Sequence, residues 1–163
     1  MRRARAAITM FSALAVVGAT ACALSSAAEV TRTEYVTRLE QICKPRSEAT
    51  QRAVRGTPAD VRRERFRQAA GKVSKAGRIF DGSVAAISAV ARPADDRATL
   101  ARWFVALKRE SAALQRTAAA LRAEDLARFQ RVWADFIHQG NKANNIVVSF
   151  GFNYCSFKPA RFQ

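Results

Sequence analysis

FRQAAGKVSKAGRIFDGSVAAISAVA, residues 66–91, carries the pattern that decides the fold. Phe66, Val73, Phe80 and Ile87 recur every seven residues, and Ala70, Gly77, Val84 and Ala91 form a second set between them. Alternating steps of four and three gather these residues into one stripe on a 3.6-residue helix, the seam of a helical bundle. Gly71, Gly77 and Gly82 weaken the helix locally, but the stripe runs through all three. Upstream, Thr57 reads as an N-cap, Pro58 as the first helical position and Asp60 as a partner for the helix dipole. The spacing therefore predicts one helix over 58–91, ended by Arg92-Pro93.

Three further stripes surround it. The first helix opens at Thr31, with Glu34 completing a capping box, and runs through Tyr35, Leu39, Ile42, Ala49 and Ala53 with a kink expected at Pro45. The third begins at Asp95 or Asp96 and holds Leu100, Phe104, Leu107, Ser111, Leu114, Ala118 and Leu121. The fourth uses Leu126, Phe129, Trp133, Phe136, Gly140, Ala143 and Val147 over 125–149. The step from Leu121 to Leu126 changes the phase of the stripe, so a break is placed between them; one long bent helix is the alternative. After Ser149 the spacing shortens to two, through Phe150, Phe152 and Tyr154, behind a helix-stopping Gly151, which predicts an extended tail. The expected fold is all-α: a four-helix up-down bundle with an extended C-terminal tail.

The first 28 residues read as an export signal. MRRAR supplies the positive start, an apolar stretch follows from Ala6 to Ala21, and small residues lead to two cleavage options. Cleavage after Ala28 would release a secreted chain. Ala19-Thr20-Ala21-Cys22 resembles a lipobox, which makes Cys22 a candidate lipidation site. The apolar stretch is too short and diluted for a permanent span of about 20 residues. Residues 29–163 then form a single domain, exported and either secreted or anchored on the outer face of the cytoplasmic membrane. Either route leaves Cys43 and Cys155 as the unmodified pair. An oxidising compartment and an even count favour one disulfide over two free thiols. The geometry permits it: Cys43 lies about 17 Å up the first helix, and six extended tail residues span at most about 20 Å.

Several short motifs resemble a group of small exported helical proteins of high-GC Gram-positive bacteria. They are YVTRLEQIC from Tyr35 to Cys43, Pro93 followed by Asp95 and Asp96, LRAED from Leu121 to Asp125, and Gly151-x3-Cys155. This chain carries Glu124-Asp125 where that group usually has Gly-Asp. The resemblance implies a helical exported domain with the cysteine pair joined, and brings no activity or functional residues with it.

No catalytic constellation is legible. His138 is the only histidine, there is no Glu-x-x-His pair, and after processing no methionine remains, so neither a metal nor a cofactor is expected. Glu40, Glu48, Glu64 and Glu110 read most simply as salt-bridge partners of neighbouring Arg. Trp103 and Trp133 read as core or as pocket lining, and Asn141, Asn144 and Asn145 as a solvated helix face or a polar contact. The chain carries +15, falling to about +12 once Arg2, Arg3 and Arg5 leave with the signal. That excess reflects either an Arg-rich composition or attraction to anionic surfaces, and export argues against intracellular nucleic acid. Arg52, Arg55, Arg62, Arg63, Arg65 and Arg67 gather at the end of the first helix and the start of the second, where the helix is expected to overhang the bundle. These six are the candidate anion-binding residues. The expectation is a non-catalytic envelope or secreted interaction module, with an anionic envelope polymer, anionic lipid or another envelope protein as its partner. The alternative is a binder of a small apolar or amphipathic ligand between the helices.

Overall fold

A computed structural model describes residues 29–158. Residues 1–28, read above as an export signal, lie outside the described residues, and Cys22 with them. The helices are α1 (Arg32–Val54), α2 (Thr57–Arg62), α3 (Phe66–Ser88), α4 (Arg97–Arg122) and α5 (Leu126–Ile146), with single 3-10 turns at Ala94–Asp96 and Val148–Phe150. No strand occurs among the described residues, and no helix there is long and apolar enough to cross a membrane. The four long helices run up and down in chain order. α1 packs on α3, α3 on α4 and α4 on α5, while no comparably close approach joins α1 to α5.

α1 starts as its capping box dictates. The Thr31 hydroxyl accepts from the Glu34 amide at 3.2 Å, and Glu34 accepts from the Thr31 amide at 2.9 Å. The helix continues through Pro45 without ending. At the same end of the bundle, Arg32 grips the buried Asp96 with Nε to Oδ2 at 2.9 Å. Asp96 therefore ties α1 to the entry of α4 and makes no side-chain cap of its own. α4, flanked by α3 and α5, is the most deeply buried element; Leu100, Trp103, Leu114, Thr117 and Leu121 are all nearly inaccessible.

The single helix expected over 58–91 is two helices. α2 ends at Arg62, and Glu64 takes a left-handed backbone (φ 57) while the Arg65 amide reaches back to the Asp60 carbonyl at 2.8 Å. This closes a Schellman-type turn. Continuing the helix would place Arg63 on the core stripe, and the turn leaves Arg63 exposed instead. The reversed chain lays α2 against α3, with Val61 joining the core around Ala69, Ala70 and Leu114. The tip is a folded corner rather than an overhang. α3 itself stops at Ser88, a turn before Pro93.

The same turn recurs between α4 and α5. Glu124 is left-handed (φ 58), the Asp125 amide donates to the Ala120 carbonyl at 3.1 Å, and Asp125 caps α5 by accepting from the Arg128 amide at 2.9 Å. The break expected from the phase change is present, and the single bent helix is excluded. α5 ends at Ile146 rather than Ser149, and Gly151 (φ 66) stops the following 3-10 turn. The tail beyond is irregular rather than a strand, although its alternation survives as burial of Phe150 and Phe152 with Tyr154 half-buried.

Glu64 and Glu124 hold a conformation that costs a residue bearing a β-carbon about 1 kcal/mol. Glycine at either site would remove that cost but loosen the unfolded chain. We expect each Glu→Gly substitution to stabilise the fold by about 0.5 kcal/mol, raising the urea midpoint with an unchanged slope. Loss of the exposed Arg67–Glu124 contact at 3.8 Å should not offset this.

Candidate functional site

The tail occupies the seam that α1 and α5 leave open, and three anchors hold it there. Cys155 forms a disulfide with Cys43 of α1, their Cα atoms 5.2 Å apart. Glu40, one turn earlier on α1, turns its carboxylate to the tail backbone and accepts from the amides of Asn153 and Tyr154 at 3.0 Å and of Cys155 at 3.2 Å. Asn144 of α5 pairs with Phe157 in both directions: its amide donates to the Phe157 carbonyl at 2.7 Å, and its carbonyl accepts from the Phe157 amide at 2.8 Å. The Phe157 ring then lies on Gly140, where a Cβ would stand 2.5 Å from ring carbons, and meets Phe136 edge-on at 5.2 Å. Gly140 is thus required by the close approach of the ring.

Beneath this tail lies a cavity of about 90 Å³. Phe80, Val84 and Ile87 of α3, Leu107 and Leu114 of α4, and Phe136 of α5 make it largely apolar. Ser47 and Thr50 of α1 and Ser83 of α3 interrupt that lining, and the tail from Tyr154 to Lys158 forms the remaining wall. Glu110 of α4 lines it too. Its residue is 2% exposed, and its Oε2 atom is buried with no hydrogen-bond partner. Burial pushes its carboxyl up to about 8. A buried carboxyl without a partner costs several kcal/mol when charged, so the group stays protonated at neutral pH.

The other buried acids are treated differently. Asp60 receives Lys72 Nζ at 2.6 Å and also pairs with Arg65, and these bonds hold its carboxyl below the usual range. Asp96 receives Arg32. Glu110 alone of the three lacks a cation. Glu40 and Glu110 are therefore not the ion-pair partners of Arg that their spacing suggested: one pins the tail and the other faces the cavity. Glu64 is a turn residue.

Of the residues singled out by sequence, Cys43 and Cys155 come together, at the edge of this cavity. Arg52, Arg55, Arg62, Arg63 and Arg67 are exposed around the junctions of α1, α2 and α3, while Arg65, also exposed, is drawn onto Asp60. Trp103 is core, stacked on Phe152 at 5.3 Å, and Trp133 packs between Phe129 and Phe136; neither lines the cavity. His138 is exposed on α5. Asn141 and Asn145 are exposed, and Asn144 is the tail anchor. Among the described residues no group of three His, Cys, Asp or Glu side chains is placed to hold a metal ion.

Glu110 is the residue that the sequence reading missed. A signal was available. Trp103, Glu110 and Thr117 are seven apart and all buried, so they form a second inward stripe of a helix that packs on two neighbours. No family model, curated protein sequence or solved structure matches the chain.

The raised Glu110 carboxyl makes a pH prediction. From its ordinary value of 4.5 up to about 8, the folded chain keeps a proton that the unfolded chain has released, so stability falls as pH rises through that window. The slope should approach about 1.4 kcal/mol per pH unit. Glu110→Gln keeps the volume and removes the ionisation. Urea unfolding from about pH 5 to about pH 8 should show the decline in the wild type and a nearly flat profile in the variant.

Proposed function

We propose that this chain is an exported, non-catalytic binding protein whose site is the cavity beneath the tail, where a small amphipathic molecule sits between the helices. The observation that carries this reading is Glu110: a buried, unpartnered carboxyl on an otherwise apolar wall. In a core with no other task, replacing such a group by an apolar residue would be neutral or stabilising. Its cost is explained by a ligand group that completes its hydrogen bonding. The cavity lining contains one carboxyl and no histidine. The disulfide suits an oxidising compartment, which supports export.

The anionic-surface reading rests on a separate observation around the junctions of α1, α2 and α3. Asp60 is buried and its charge is consumed by Lys72 and Arg65, so it does not neutralise the outward Arg52, Arg55, Arg62 and Arg63. These four, with Arg67 nearby, outnumber the exposed Glu64 and Glu124 and form a basic corner suited to phosphate-bearing wall polymer or anionic lipid. Binding to anionic vesicles should weaken steeply between low and physiological salt and disappear on reversing Arg55, Arg62 and Arg63 to Glu. Insensitivity to both would exclude that role.

For the cavity, we expect a small amphipathic probe such as propan-1-ol at millimolar concentration to shift amide resonances that cluster at Ser47, Thr50, Ser83 and Val84. Val84→Trp, which fills the space from a half-buried position, should abolish the shifts while keeping the folded spectrum. Dispersed shifts, or shifts that survive the Trp substitution, would refute the cavity as the site.

A further inference from the structure

Three of the hydroxyls that line the cavity have already given away their protons. A hydroxyl has a single proton to give. Thr50 gives its proton to the Arg46 carbonyl at 2.9 Å, Ser83 to the Ile79 carbonyl at 2.8 Å, and Ser156 to the Asn153 carbonyl at 3.1 Å. What these oxygens still offer is lone pairs. The Asn144 amide is committed to Phe157, Lys158 Nζ gives one of its three protons to Asn153 Oδ1 at 2.5 Å, and Gln51 adds a side-chain amide to the lining. Glu110 adds a carboxyl with one oxygen unpaired. A buried, unpartnered carboxyl beside hydroxyl lone pairs, inside a largely apolar wall, is complementary to a ligand that brings several N–H donors and a positive charge.

Resting on the cavity reading above, we propose that the ligand is a primary alkylammonium, its –NH3+ group paired with the Glu110 carboxylate and its short alkyl chain held by Phe80, Val84 and Leu114. An ammonium carries three donors on one compact charge, which matches a carboxylate flanked by hydroxyl oxygens. A metal ion is the poorer fit, because a lone carboxylate cannot replace a full hydration shell. Size sets the chain length. A cavity of about 150 Å³ accommodates benzene. In proportion, about 90 Å³ admits about four heavy atoms, the size of propylammonium, and a longer amine would leave through the open side. The positive net charge of the chain does not forbid this, since exposed charges are screened within about 8 Å at physiological salt.

Binding must ionise Glu110, so it is linked to protons. The other titratable groups in the lining are Tyr154 and Lys158, both on the tail; α1, α3 and α5 contribute none. Burial keeps Glu110 protonated up to about pH 8 in the empty site. Affinity for the ammonium should therefore rise by about 100-fold from pH 6 to pH 9, and about one proton should be released per ligand at the acidic end.

The test is calorimetric titration of the disulfide-intact chain with propylammonium chloride at pH 6 and pH 9, in two buffers of different ionisation enthalpy. Propan-1-ol serves as the neutral match in size, and Glu110→Gln as the variant. The proposal expects tighter ammonium binding at pH 9, proton release at pH 6, preference over the alcohol, and loss in the variant. Ammonium binding that is independent of pH, no tighter than the alcohol, or retained in Glu110→Gln overturns it. Alcohol binding without ammonium binding overturns the ligand class and leaves the cavity reading standing; failure of both overturns both. If Glu110→Gln does not fold, the wild-type pH and buffer dependence decides alone.

Discussion

The tail between α1 and α5 is the constraint on which the rest of this bundle depends. Consecutive helices pair well, but the first and last long helices do not close on each other. Phe150, Phe152, Tyr154 and Phe157 supply the missing side of the core, and a segment of irregular backbone can do so only if its polar groups are satisfied. Glu40 satisfies three amides and Asn144 satisfies an amide and a carbonyl, so the tail is bonded on both flanks. The Cys43–Cys155 link closes a loop of 112 residues, which in the chain-entropy picture contributes about 5 kcal/mol. That is comparable with the whole stability of a small domain. Without it, a tail of this length would have to hold its place on a few hydrogen bonds and ring contacts.

Closing a bundle with a tail has a consequence for its interior. A helix presents a continuous ridge, whereas the tail presents a few side chains separated by backbone. The space that it fails to fill is the cavity, and the side chain left facing it is Glu110. The contrast with Asp60 and Asp96 shows how much one partner changes. All three acids are nearly inaccessible, but only Asp60 and Asp96 have a cation beside them. The unpaired one is driven to its neutral form, because desolvation outweighs every other influence on it. A group in that state can be changed by whatever enters beside it, which makes it the natural place to look for binding.

Around the junctions of α1, α2 and α3, charge is disposed by the same rules with a different result. The two left-handed glutamates turn the chain sharply at α2–α3 and α4–α5, and Asp60 draws Arg65 and Lys72 into the corner that the first of these turns creates. What remains outside is mostly arginine, with the exposed Glu64 among it. The electrostatic asymmetry thus follows from the corner, which buries Asp60 against Arg65 and Lys72 and takes it away from the outward arginines.

Much of this was legible in the residues alone. Four amphipathic stripes, the capping box at Thr31, the break before Leu126 and the pairing of the two cysteines all rest on local rules: helical period, cap chemistry and compartment. These rules act within a few residues, or on a cysteine count, so no tertiary coordinates are needed to apply them. Other features depend on which surfaces meet. Arg63 on the stripe signalled trouble, but only the packing of α2 on α3 chose a turn over an overhang. The tail alternates as a strand would, but with no neighbouring strand to pair with, its backbone amides went to Glu40 and its path became irregular. Glu110 sits beside the main stripe of α4, and a sequence cannot say that a helix will be buried on two sides. That fact comes from α3 and α5 packing against it together, and it turns an ordinary helical glutamate into a buried acid at the edge of a cavity.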